Sequence, residues 1–120
     1  MSHENKSVVD RVNEAFHNAD TNLFLSLCSD DIAWHMRGDF ILNGKEAIAN
    51  FMNSMQGVPP KFTITDTFGE GDKVMSRGEM IMTNEAGQPE DYAFCDVYQF
   101  TGSKITVIDS YVIKLKENKI

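Results

Sequence analysis

The chain has 120 residues, 42% hydrophobic and 24% charged, which suits one compact domain and leaves no room for two. With 11 Lys and Arg against 18 Asp and Glu, its formal net charge is −7. Such a surface repels a phosphate backbone, so no nucleic-acid partner is expected.

From about Ser7 to Ala19, Val8, Val9, Val12, Ala15, Phe16 and Ala19 recur at three-to-four-residue spacing, the apolar stripe of an amphipathic helix. Residues 1–6 precede it and are expected to form a mobile tail. Asp20 is a suitable N-cap for a short second helix carrying Leu23, Phe24 and Leu27. Ile32–Arg37 reads as a strand. Asn43-Gly44 then precedes a third helix over Lys45–Met55, with Ala47, Ile48, Phe51, Met52 and Met55 on its apolar side. Pro59-Pro60 punctuates the middle of the chain.

Four strand-like runs follow, Lys61–Phe68, Lys73–Thr83, Asp91–Phe100 and Lys104–Leu115. Gly69-Glu70-Gly71-Asp72, Asn84 to Pro89, and Thr101-Gly102-Ser103 separate them as turns. Consecutive hairpins imply a curved antiparallel sheet. The expected fold is α+β, a cone-shaped sheet closed by about three helices that leave a cavity between the layers.

No apolar run is long enough to span a bilayer, and the polar opening Met1-Ser2-His3-Glu4-Asn5-Lys6 is not a secretory leader. A cytoplasmic location without a membrane partner is expected. Cys28 and Cys95 lie in different kinds of segment and form no CxxC pair, so reduced thiols are expected rather than a disulfide framework or zinc cage. No GxGxxG, Walker loop, HExxH or GxSxG occurs, so neither a metal nor a nucleotide cofactor has support.

Strand alternation singles out one carboxylate. Tyr92, Phe94, Asp96, Tyr98 and Phe100 share a face, with Asp96 central among four aromatic rings. Desolvation there raises the pKa of an unpaired carboxyl and keeps it a proton donor near neutral pH. The alternatives are that Asp96 caps a turn, meets Arg77 or Arg37, or faces water. His35 is the second candidate, because imidazole can act as a base at working pH, although a lone histidine is more often structural. It shares a strand face with Ala33 and Arg37, opposite Ile32, Trp34 and Met36. Arg37-Gly38-Asp39 matches an integrin-binding tripeptide, but three residues carry little information. Methionines such as Met52, Met55, Met75, Met80 and Met82 are core filler first, and would suit a soft apolar ligand if they line a cavity. The last strand is apolar on both faces, so its outer face is a candidate subunit contact.

The segment Ser29-Asp30-Asp31-Ile32-Ala33-Trp34-His35-Met36-Arg37-Gly38, followed by Asn43-Gly44-Lys45-Glu46-Ala47-Ile48-Ala49-Asn50-Phe51, resembles the strand-loop-helix signature of SnoaL-like and ketosteroid-isomerase-like proteins of the nuclear transport factor 2-like superfamily. The resemblance extends over about Ser7 to Leu115 and implies a homodimer. Aligned without gaps, His35 falls where the isomerases keep a catalytic aspartate base. Gly87-Gln88-Pro89 through Asp96-Val97-Tyr98-Gln99-Phe100 resembles their oxyanion-hole hairpin, placing Asp96 at their protonated aspartic acid, a well-known neutral buried carboxyl. The oxyanion-hole tyrosine of their first helix has no counterpart in Arg11-Val12-Asn13, and Met52 replaces a supporting tyrosine.

The implied function is a cofactor-free enzyme acting on an apolar carbonyl compound by general acid/base chemistry, as isomerase, cyclase or hydratase. Its catalytic residues would be His35 and Asp96. Val12, Phe16, Trp34, Phe51, Met52, Arg77, Tyr92, Phe94 and Tyr98 would bind the substrate. The alternative is a non-catalytic module that binds a hydrophobic small molecule. Limonene-epoxide hydrolase, a further relative, uses an Asp-Arg-Asp arrangement, and Arg77, Asp96 and Asp109 supply the residue types without an established common site.

Overall fold

A computed structural model describes residues 2–54 and 61–116. Met55, Pro59 and Pro60 lie outside the described residues. Helix α1 (Ser2–His17) buries Val9, Val12 and Ala15. It begins earlier than the periodicity predicts. Residues expected as a tail form its first turns, and Asn5 is buried. Ala19, at φ +52, ends the helix in the left-handed conformation, and the Asp20 amide donates back to the Ala15 carbonyl at 2.8 Å. Asp20 then caps α2 (Thr21–Ser26), its Oδ1 accepting from the Leu23 amide at 3.1 Å.

Strand β1 (Cys28–Met36) turns through Arg37-Gly38-Asp39 into the short β2 (Phe40–Asn43), and α3 (Gly44–Ser54) follows. The integrin-like tripeptide is thus a hairpin turn in which Gly38 takes φ +83, a conformation that favours glycine. Next come β3 (Lys61–Glu70), β4 (Lys73–Thr83), β5 (Pro89–Thr101) and β6 (Lys104–Lys114).

The six strands form one sheet in the order β2-β1-β6-β5-β4-β3. All neighbours are antiparallel except β1 and β6, which run parallel. The sheet is curved and unclosed, with β2 and β3 as its edges. Bulges interrupt the register between Ile64 and Asp66 and between Gln99 and Phe100, where local twist increases. Beside the first of these, Gly78 leaves no space for a side chain: a Cβ would lie 1.9 Å from the Thr63 carbonyl oxygen.

The helices cover only part of the inner face. Val74, Tyr98, Phe100, Ile105 and Ile108 from the sheet pack with Val9, Val12, Phe24, Ile32 and Ile48 into a close-packed core. Phe16, Phe24 and Trp34 join it as an aromatic cluster with centroids 5.0 to 6.0 Å apart. Toward the other end of β4, β5 and β6 the inner face is open.

Candidate active site

The open end is a cavity of about 470 Å³ between the sheet, α1 and α3. Its walls are mostly aromatic rings and thioethers. Phe16 comes from α1, Trp34 and Met36 from β1, Phe51 and Met52 from α3, Phe62 from β3, Met80 and Met82 from β4, and Tyr92 and Phe94 from β5. The rings buttress one another: Trp34 meets Phe51 edge-on at 6.0 Å, and Phe62 meets Phe94 edge-on at 6.2 Å. Behind Phe62, His17 stacks at 3.9 Å. The Tyr92 hydroxyl donates to Glu90 at 3.2 Å.

The polar groups are few and ordered. Ser76, Asp96 and Ser110 are register partners across β4, β5 and β6, so the three share one face. Asp96 and Ser110 line the cavity where it meets the packed core. The Asn13 amide of α1 donates to Ser76 Oγ at 3.4 Å, and the Trp34 indole N–H donates to Ser110 Oγ at 2.8 Å. Ser110 faces the Asp96 carboxyl as its cross-strand partner, and hydrogen bonding from Ser110 favours the ionised form. Desolvation outweighs that hydrogen bond and pushes the Asp96 pKa up to about 6 from the ordinary 3.8. Asp96 is therefore poised to give a hydrogen bond or a proton in mildly acidic to neutral solution. At the mouth, Arg37 and Asp39 from the β1–β2 turn are exposed and line the entrance.

His35 does not join this site. It pairs with Asp109 across β1 and β6, on the face opposite Trp34, Met36 and Ser110. Its Nδ1 lies 2.9 Å from Asp109 Oδ1, and Arg37 reaches the same oxygen at 3.7 Å. The expected meeting of His35 and Asp96 in one chamber is corrected: they occupy opposite faces because Trp34 and Met36, the more apolar set of β1, turn inward. Arg77 also faces outward, where it pairs with Asp66. It neither lines the cavity nor meets Asp96, so Arg77, Asp96 and Asp109 share no site. Val12 and Tyr98 are core residues rather than cavity walls, since α1 and α2 cover that half of the sheet. Phe16, Trp34, Phe51, Met52, Tyr92 and Phe94 all line the cavity.

Sequence reasoning missed Asn13, Ser110 and Asp39. Ser110 becomes visible only once its register with Asp96 is known. Asp39 belongs to a tripeptide that carries little information as a motif, although a turn at the end of an inward-facing strand is a common place for functional groups. Among the described residues, no group of three or more His, Cys, Asp or Glu side chains is arranged to hold a metal ion, and no helix is long and apolar enough to cross a membrane.

Residues 9–108 match the SnoaL-like domain family. No curated protein matches the sequence. Among solved structures, the chain is similar to an NTF2-like protein of unknown function from Burkholderia pseudomallei K96243, at TM-score 0.84 and 18% identity over 92% of this chain and 91% of that one. It is similar to a candidate SnoaL-like polyketide cyclase from Jannaschia sp. CCS1, at TM-score 0.83 and 14% identity over 93% and 87% of the two chains. It is also similar to an LEH-like epoxide hydrolase from M. tuberculosis, at TM-score 0.81 and 19% identity over 92% and 84%. At these identities the neighbours establish the fold alone. With the family match spanning most of the sequence, the chain belongs to the SnoaL-like domain family.

Proposed function

We propose that the protein is a small-molecule enzyme acting on an apolar carbonyl compound, with Asp96 as its acid. The observation that carries this reading is the placement of the Asp96 carboxyl beside Ser110 at the polar end of an otherwise aromatic and thioether-lined cavity, where desolvation favours its neutral form. Protonated Asp96 gives its hydrogen bond to the carbonyl oxygen, where negative charge develops as an adjacent C–H is broken. The base is the Asp39 carboxylate at the mouth, which takes the carbon-bound proton while the carbonyl π pair moves onto oxygen. The resulting enolate, hydrogen-bonded to Asp96, is the common first intermediate of isomerisation and cyclisation. Hydration of an enone uses the same polarised oxygen. A homodimer through the outer face of the sheet is part of the proposal, supported by exposed Phe68, Tyr111 and Ile113 on β3 and β6. Light scattering tests it directly, and a monomer at micromolar concentration refutes it.

Turnover of a panel of cyclic enones and aromatic ketones tests the chemistry. The wild type is expected to act on at least one member, with kcat/KM falling as pH rises through about 6. Asp96→Asn and Asp39→Asn should each lose at least about 100-fold, the lower end of what a positioned acid or base contributes. Unchanged activity in Asp96→Asn rejects the assignment. A second reading, a binding module without turnover, draws on the position of His35 outside the cavity and the exposure of Asp39. A ligand that co-purifies in native mass spectrometry, without turnover across the panel, selects it.

A further inference from the structure

Ser110 stands between two groups that together settle where its proton goes. A serine hydroxyl has one hydrogen to give, and an indole N–H can only donate. The Trp34 N–H points at Ser110 Oγ from 2.8 Å and occupies an acceptor site of that oxygen. Ser110 is 3% exposed, so water has little access to it. Its cross-strand partner on the same face is Asp96, which puts that carboxyl within reach of the Ser110 hydrogen as its acceptor. The carboxyl oxygen that accepts from Ser110 cannot at the same time present its proton there. When Asp96 is protonated, the acidic hydrogen therefore belongs on the other oxygen.

From this geometry we infer that Trp34 and Ser110 are positioning residues, forming a one-way hydrogen-bond chain that fixes which Asp96 oxygen carries the proton and so makes the cavity selective for ligands that accept a hydrogen bond. The favoured ligand group is a carbonyl, an ether or an epoxide oxygen. A hydroxyl oxygen also accepts, whereas a ligand group that can only donate, such as an ammonium, competes only where Asp96 is ionised and accepts. The inference deepens the acid role proposed for Asp96 and rests on it for its consequence in turnover. The chain of hydrogen bonds itself does not depend on catalysis. The other groups at this position do not reverse the direction. Asn13 donates to Ser76 on the far side, and Trp34, Ser76, Ser110 and Asn13 are uncharged. The ionisable neighbours are Tyr98 on the same strand, whose hydroxyl burial pushes further up, Tyr92 in the cavity wall, Cys95 on the outer face of β5, and Arg37 and Asp39 at the mouth.

The test is the carboxyl carbon resonance of Asp96, titrated by NMR in ligand-free protein. Ser110→Ala removes the donor to the ionised form, so the Asp96 midpoint should rise by about one pH unit. Ser110→Thr retains the hydroxyl and should restore the wild-type midpoint. Trp34→Phe frees the hydroxyl to rotate and should raise the midpoint by a smaller amount. Ser76→Ala, on the other flank, should move it least. Ser110→Ala titrating like the wild type overturns the inference, as does a Trp34→Phe protein with an unmoved midpoint. A shift in Ser76→Ala as large as that in Ser110→Ala also overturns it, because general loosening would then explain both. Failure of the enzymatic reading would appear as absent turnover with these titrations unchanged, so the two failures are distinguishable.

Discussion

Replacing Asp96 by Asn should make the protein more stable near neutral pH. The folded state holds the Asp96 carboxyl at a pKa of about 6 against 3.8 for the free group. Between those values the unfolded chain has lost the proton and the folded chain keeps it. The unfolded state then binds fewer protons, and stability falls as pH rises. A shift of about two pKa units is worth about 3 kcal/mol at ~1.4 kcal/mol per unit, all of it lost once the pH exceeds the folded pKa. Asparagine has the same shape, accepts from Ser110 through its carbonyl oxygen, and carries no charge to desolvate. Urea unfolding of both proteins from pH 4 to pH 8 isolates the effect, since every other titrating group cancels in the difference. The unfolding free energy of Asp96→Asn minus that of the wild type should grow by about 2 to 3 kcal/mol between pH 4 and pH 7, then level off. Parallel curves would refute the reasoning, because they would mean that Asp96 ionises in the fold as easily as in the open chain.

Three further substitutions probe the packing around the site. His35→Ala should leave ligand affinity unchanged in calorimetry, and should cost at most about 1 kcal/mol of stability, because the His35–Asp109 pair is partly exposed on the outer face. Phe24→Ala should cost about 3 to 5 kcal/mol in chemical denaturation, since the ring is fully buried between Phe16 and Trp34. Gly78→Ala should cost about 1 to 3 kcal/mol, because its methyl group meets the Thr63 carbonyl and one strand must move. A thermal midpoint equal to that of the wild type would contradict the close approach of β3 and β4.

Local periodicity made much of the architecture legible. The stripe on α1, the Asp20 cap and the alternation of β5 each follow from spacing alone, and they brought Asp96, Tyr92 and Phe94 to one face. What spacing could not supply was the point along that face where packed core gives way to cavity. Tyr98 and Asp96 alternate identically, yet the helices cover one and leave the other open. Alternation also divided β1 correctly into two sets without deciding which turned inward. The greater apolarity of Ile32, Trp34 and Met36 was the signal, and a gapless family alignment drew attention to His35 instead. The outward partner of His35 is Asp109, 74 residues away across a parallel pairing that no local pattern announces. The short β2 was hidden for a different reason: four residues are too few to display a period, and its turn resembled a known motif.

Trp34 is the single tryptophan and lies in the cavity wall, so its emission reports directly on occupancy. Titration with a saturated bicyclic ketone, which is transparent at the emission wavelength, tests whether Asp96 meets a ligand oxygen. Saturable binding is expected, tighter at pH 5 than at pH 8 by about tenfold, the equivalent of one net hydrogen bond of ~1.4 kcal/mol. In Asp96→Asn that pH dependence should vanish. Equal wild-type affinity at both pH values, or no saturable change at either, would contradict the central claim.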